Sequence, residues 1–174
     1  IFCIQLASNV MLRFNINNLF LSHFYFIVQF VVLSLFYLKI LENSFQKKIV
    51  KTGLIFGLLV LAIQYTVDSS LFFKYNLLEI FITSFLLIIY AVFHFYNMLN
   101  GKKEFYYINM GVLLYLFGST ILFLVGNLTT ILSKEMSVVT WILNSVLYIV
   151  YQLFILVEWK KSFFKKEFTR AIEN

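Results

Sequence analysis

Five stretches of this chain run for about the thickness of a bilayer's hydrocarbon core while carrying almost no charge: 19–40, 50–67, 71–97, 105–127 and 138–158. A helix needs about 20 predominantly apolar residues to cross that core, and each run is of that order. The runs are continuous rather than alternating, which argues against barrel strands. Composition closes the other routes. Of the 174 residues, 61% are hydrophobic and 13% are charged, against about 45–50% and about 25% in a soluble domain. Twenty-two Phe and eleven Tyr cannot all be hidden in a globule of this size. A soluble enzyme, a disordered tail and a disulfide-rich secreted domain are excluded. The expected fold class is all-α, a polytopic transmembrane helix bundle.

A further apolar piece, 1–12, is about half a span long. With Ile1 as the first residue, it predicts six spans with the first cut short, and seven in a longer parent chain. The six helices are expected at 1–12, 19–40, 50–67, 71–97, 105–127 and 138–158, as one bundle over 1–158 followed by a basic amphipathic tail at 159–174. The connections are short and polar, and 98–104 contains the turn dipeptide Asn100-Gly101. No soluble domain fits between the helices, so any chemistry belongs to the bundle or its rims.

The formal net charge of +6 is a topology signal. Eleven Lys and Arg (Lys39, Lys47, Lys48, Lys51, Lys102, Lys103, Lys160, Lys161, Lys165, Lys166 and Arg170) fall on one side and three (Arg13, Lys74, Lys134) on the other. The positive-inside rule then predicts a cytoplasmic C-terminus in the inner membrane and removes nucleic acid from the partners. The bilayer itself is the main partner. The tail from Trp159 to Arg170 interleaves Phe163, Phe164 and Phe168 with basic residues. That pattern suits contact with anionic lipid as well as plain interfacial anchoring.

Polar residues inside a span are costly unless they face the bundle interior or water. On 71–97, Asn76, Glu79, Thr83, Tyr90, His94 and Asn97 share one helical face, with Leu86 filling the gap. On 138–158, Trp141, Asn144 or Ser145, Tyr148, Tyr151 or Gln152, and Glu158 follow a similar spacing. Helix 19–40 adds Ser22, His23, Tyr25 and Gln29, and 50–67 adds Gln64. A rise of about 1.5 Å per residue sets Glu79 roughly 9–12 Å below the outer end of its helix. The expected outer cluster, a candidate ligand site, is His23, Gln29, Gln64, Glu79, Trp141 and Asn144. A second, cytoplasmic cluster would gather Tyr90, His94, Asn97, Asn109, Gln152 and Glu158. Glu79 is the only acid well inside a span, at a cost of roughly 2.5–3.5 kcal/mol if unpaired at mid-membrane. His23 is its candidate partner. Glu79 reads first as an interhelical hydrogen-bond anchor and second as a proton- or ligand-binding carboxylate.

Much familiar chemistry is missing. The two His lie toward opposite leaflets, so no three-ligand zinc site is expected. Cys3 is the only cysteine, which allows neither an internal disulfide nor a cysteine cluster. No intramembrane carboxylate pair, Gly-x-Ser-x-Gly elbow, phosphate loop or dinucleotide motif occurs. No catalytic residue, metal or cofactor is therefore assigned. The absence of Pro and the presence of only six Gly weaken a broken-helix transporter. Gly53 and Gly57 form a Gly-x-x-x-Gly helix-packing signal, and Gly118-Ser119-Thr120 marks a second close approach.

The run from Asn17 to Phe30, Leu33-Ser-Leu-Phe-Tyr, Gly111-Val-Leu-Leu-Tyr-Leu-Phe-Gly-Ser and Thr140-Trp-Ile-Leu-Asn-Ser-Val-Leu-Tyr resemble segments of small multi-pass membrane proteins of Bacteroidota. The resemblance implies one or two further N-terminal helices. It matches His23, Gln29, Ser119, Trp141 and Asn144, and brings no activity. The leading functional expectation is a non-enzymatic membrane protein binding a small molecule or lipid in its outer half, as a sensor or accessory subunit. A proton- or solute-coupled transporter using the 71–97 polar row is the second. An intramembrane lipid-modifying enzyme with His23 and Glu79 as acid and base is the third.

Overall fold

The computed structural model describes residues 19–74, 76–101, 103–130 and 134–173, with Ala7, Val10, Met11 and Phe14 as separate positions before them. Every regular element among the described residues is helical. Helix α1 is Leu19–Ile40, α2 is Ser44–Val67, a 3-10 helix follows at Ser69–Phe73, and then α3 is Leu77–Asn100, α4 is Tyr106–Thr130 and α5 is Lys134–Glu173. Five of these are long and apolar enough to cross a membrane: Leu19–Ile40, Ser44–Val67, Leu77–Leu99, Tyr106–Val125 and Val138–Phe163. That suits a multi-pass membrane protein. Apart from Ala7, Val10 and Met11, the short first helix expected at 1–12 lies outside the described residues.

The chain forms two compact units, 1–90 and 91–174. In the first, α1 and α2 are joined across 41–43. Asn43 makes this tight turn possible: its side chain accepts from the amides of Phe45 and Gln46, at 2.9 and 3.3 Å. An Asn N-cap satisfies donors that would otherwise be orphaned at a helix start. Helix α2 therefore begins six residues earlier than its apolar run, and carries Lys47, Lys48 and Lys51 on its exposed first turns. Against α1 and α2 packs the first half of α3. The core consists of fully buried Phe30, Tyr37 and Val50, with Leu61, Leu87 and Tyr90. Glycine decides how closely the helices approach. A Cβ on Gly57 would stand 2.9 Å from Phe30 and 3.3 Å from Leu86, and one on Gly53 would collide with the Tyr90 hydroxyl. The Gly-x-x-x-Gly pair is thus spent inside the unit.

The largest departure from expectation lies between α2 and α3. The apolar run predicts one helix from 71, whereas the structure ends α2 at Val67, crosses in a 3-10 helix and starts α3 at Leu77. Two side chains set these boundaries. Asp68 closes α2 through its backbone amide on Gln64 O, and its carboxylate accepts from the Ser70 amide at 3.0 Å. Asn76 opens α3, its Oδ1 accepting from the Glu79 amide at 3.3 Å. In a sequence the spacing Asn76–Glu79 reads as two members of a helical face. In the structure it is a cap and the third residue of the helix.

In the second unit α4 and α5 pack along their lengths. A Cβ at Gly111 would meet Phe154 at 2.8 Å, and one at Gly118 would meet Leu147 at 2.7 Å. Between these contacts Tyr115 stacks on Tyr151 at 5.2 Å, with Tyr148 edge-on at 5.8 Å. The Asn100-Gly101 turn does not use glycine's conformational freedom. The one residue with positive φ among those described is Phe105, at 55°, immediately before α4. A left-handed Phe costs on the order of 1–2 kcal/mol. Helix α5 continues to Glu173, so the expected boundary at 158 between span and tail is not a break in the backbone.

Candidate functional site

The helix ends of the first unit determine which polar groups meet. His23 lies one turn into α1, Tyr65 sits near the end of α2, and Glu79 is in the first turn of α3. These three ends converge away from Lys39, Lys47, Lys48 and Lys51. His23 Nδ1 and Glu79 Oε2 are 2.5 Å apart. The Tyr65 hydroxyl donates to the same oxygen at 2.8 Å and lies 2.9 Å from His23 Nδ1. All three residues are buried, Glu79 completely.

A second layer holds the Tyr65 hydroxyl in place. Asn76 Nδ2 donates to it at 3.3 Å. Asn76 in turn exchanges two hydrogen bonds with the Gln64 amide, at 3.1 and 3.2 Å. Asn76 therefore caps α3, orients Tyr65 and engages α2 through one side chain. Over this network lies the 3-10 helix. Phe72 stacks on the Tyr65 ring at 4.3 Å and meets His23 edge-on at 6.2 Å. The segment thus packs on the two side chains that engage Glu79. Starting α3 at Leu77 puts Glu79 only about 3 Å of rise past the helix start, in place of the expected 9–12 Å. A carboxylate at that position also benefits from the positive end of the helix dipole.

Two polar atoms of the His23–Glu79–Tyr65 network have no protein partner among the described residues, although both are buried: His23 Nε2 and Glu79 Oε1. Their chemistry follows from counting protons. A net charge is disfavoured in such an interior, and a neutral His–Glu pair carries two protons. One lies between Nδ1 and Oε2. The other is on Nε2 or on Oε1. In every neutral form, one of the two unpaired atoms donates and the other accepts.

Of the expected outer cluster, His23, Gln29, Gln64 and Glu79 belong to the first unit, and Trp141 and Asn144 to the second. His23, Gln64 and Glu79 join one network. Gln29 is buried further along α1, its Nε2 without a partner. Asn144 belongs to the second unit, half-buried, with Oδ1 unpaired. The side chain of Trp141 lies outside the described residues. Tyr65 and Phe72, absent from the expected cluster, are central to the observed one. A signal for Tyr65 was present: Gly53, Gly57, Leu61 and Tyr65 recur every four residues, on the packed face of α2.

Four members of the expected cytoplasmic cluster bond to backbone groups. In the first unit the Tyr90 hydroxyl reaches Val50 O at 3.4 Å. In the second, His94 Nε2 bonds Glu104 O at 3.0 Å, Asn109 Nδ2 donates to Ala91 O at 3.1 Å, and Glu158 Oε2 accepts from the Tyr107 amide at 2.8 Å. Gln152 pairs with Tyr148 along α5, and Asn97 is half-buried. The α3 polar row is not a continuous wire within the first unit. Thr83 turns its hydroxyl to Glu79 O on its own helix, at 2.8 Å, and between Thr83 and Tyr90 the face is filled by Leu86 and Leu87. Among the described residues, no group of three or more His, Cys, Asp or Glu could hold a metal ion.

No family model matches this chain, and neither the curated proteins nor the solved structures provide a match.

Proposed function

We propose that this chain is an inner-membrane protein that binds a small molecule or a lipid head at the His23–Glu79–Tyr65 unit, as a sensor or accessory subunit that does not turn its ligand over. One observation carries the reading: a fully buried carboxylate and its histidine partner each keep one polar atom unpaired. Buried polar atoms are paired in the great majority of cases, and an anchor alone requires no spare valence. The interrupted α3 row favours binding over conduction through the first unit.

The same reading includes six spans, with the cluster in the outer half of the membrane and the C-terminus in the cytoplasm. The basic tail is then placed against anionic lipid of the inner leaflet. Thiol labelling in a Cys3→Ser background tests the orientation. A cysteine at Ser69 should react with an impermeant maleimide in intact cells, and one at Ser162 only after permeabilisation.

Binding is tested by purifying the full chain in mild detergent and measuring thermal stability against a lipid extract from the host membrane. Stabilisation by the extract that is lost in Glu79→Gln supports the reading, provided proteoliposomes show no proton or solute flux and the extract is not modified. Flux lost in the same variant would establish the transporter instead. Turnover lost in His23→Ala would establish the enzyme. Unchanged responses in Glu79→Gln would reduce the carboxylate to an anchor.

A further inference from the structure

The first unit carries a second feature with a ligand chemistry of its own, where α1 ends and α2 begins, at the opposite helix ends from the His23–Glu79–Tyr65 network. We propose that the outward face of α2 binds an anionic phospholipid, its phosphate on Lys47, Lys48 and Lys51 and an acyl chain along Ile55, Leu59 and Ile63. The site is independent of the binding reading above.

The lysines stand where the helix itself disfavours them. Helix α2 starts at Ser44 with no acidic residue in its first turn. Lys47, Lys48 and Lys51 fall in its first two turns, near the positive end of the helix dipole. The positive-inside bias asks only for basic residues on this side of the membrane. The last turn of α1 serves it without that penalty, as Lys39 does. By helical geometry the three lysines share about 100° of arc and about 6 Å of rise. Like charges three and four residues apart on one helix face repel. All three are exposed, and none forms an ion pair among the described residues. Glu42, the acid nearest in sequence, lies in the link from α1 and is exposed. An anion placed against this face relieves the dipole penalty and the mutual repulsion together.

The surface below the lysines favours a lipid over a soluble anion. Lys51 heads an i, i+4 ridge that continues through Ile55, Leu59 and Ile63, which are 51%, 57% and 62% exposed. The opposite face of α2, with Val50, Gly57 and Leu61, is buried. From Lys51 to Ile63 the rise is about 18 Å, close to the roughly 15 Å of hydrocarbon in one leaflet. A phosphate held by the lysines therefore delivers its acyl chain directly onto the ridge. A free phosphate or an acidic protein segment would engage only the lysines.

The test reads local lipid composition around the full chain in nanodiscs. Phe56, exposed beside the ridge, is replaced by Trp in a Trp141→Phe, Trp159→Phe background. The chain has two Trp, so this leaves a single fluorophore. Quenching by a minor fraction of brominated phosphatidylglycerol in phosphatidylcholine is compared with quenching by the same fraction of brominated phosphatidylcholine. Phosphatidylglycerol should be enriched about tenfold over its bulk share at Phe56→Trp, within what three lysines supply at an anionic head group. It should return to its bulk share when Lys47→Gln, Lys48→Gln and Lys51→Gln are combined. With all three lysines in place, enrichment should fall several-fold between about 0.1 and about 1 M salt. Val92→Trp, at an exposed position on α3, is the reference for general attraction of anionic lipid to the basic side. Equal enrichment at the two positions would overturn the site in favour of that general attraction. Enrichment that survives the triple substitution would overturn the assignment of the phosphate to these lysines. No enrichment at Phe56→Trp would overturn the lipid as occupant and leave the lysines to an acidic protein segment.

Discussion

Tyr65→Phe removes one oxygen and leaves the ring stacked on Phe72. The lost oxygen donates to Glu79 Oε2 at 2.8 Å and accepts from Asn76 Nδ2 at 3.3 Å. Two scales bear on the cost. Hydrogen bonds to charged groups contribute about 1.5–3 kcal/mol. Interhelical hydrogen bonds within membranes average only about 0.6 kcal/mol and reach about 1.7, because the membrane-embedded unfolded state finds other partners. The Tyr65–Glu79 bond is short, buried and aimed at a carboxyl group already engaged by His23, so it belongs where the two scales overlap, at about 1.5 kcal/mol. The assay is reversible unfolding by SDS in mixed micelles, run as a double-mutant cycle with Glu79→Gln, so that the coupling rather than the single-mutant loss is read. A coupling of about 1.5 kcal/mol is expected. A value at or below about 0.6 kcal/mol would refute the reasoning, because it would make this an ordinary interhelical contact with no special demand for the Tyr65 donor.

Other perturbations test the surrounding architecture. Gly57→Ala places a methyl 2.9 Å from Phe30, a ring that is fully buried. It should destabilise by about 1–3 kcal/mol in the same unfolding assay, while Phe30→Leu in that background should recover part of the loss. Glu158→Gln weakens the acceptor for the Tyr107 amide at the start of α4. A loss within about 0.5–2 kcal/mol is expected, with hydrogen exchange rising first at Tyr107. Asp68 gives a pH signature. Its hydrogen bonds with Ser70 hold its carboxyl below the usual carboxylate range, with Lys74 as a weaker contributor. A lowered value in the folded chain means that the stabilisation is present above about pH 4 and is lost as pH falls through the folded value. Thermal melts from pH 6 downward should therefore steepen below pH 4 in the wild type, and Asp68→Asn should remove that component.

The helices were legible because a bilayer-length apolar run has few alternatives, and α1 matches its expected bounds at 19–40. Their ends were not, wherever a polar side chain caps a helix from outside the apolar run. Asn43 draws α2 back to Ser44, and Asn76 delays α3 to Leu77. The polar row on α3 was visible from its spacing, and so was the suggestion that His23 partners Glu79. What each row member engages was not visible. Periodicity identifies a buried face, but it does not distinguish a side chain that turns back to its own helix, as Thr83 does, from one that bonds a backbone carbonyl elsewhere in the fold, as His94 and Asn109 do. Tyr65 is not legible as a site residue, because an aromatic at a helix end reads as packing or interface anchor. Only its hydroxyl, placed between His23 and Glu79, makes it part of the site.

The sequence by itself determined the solvent in which this chain folds. Apolar composition and run length are properties summed along a chain, and they require no knowledge of which residues meet. It also determined where charge could not be common, and so drew attention to Glu79. Tertiary structure decided what the acid does. The segment packed on Tyr65 and His23, the 2.5 Å contact of His23 with Glu79 and the unpaired Nε2 and Oε1 atoms arise because α2 ends at Val67 and α3 starts at Leu77. The 3-10 segment between them then folds across three converging helix ends. Such convergence depends on caps and on glycine-limited approach between helices 56 residues apart in chain order at their contact, a long-range relation that no local periodicity encodes.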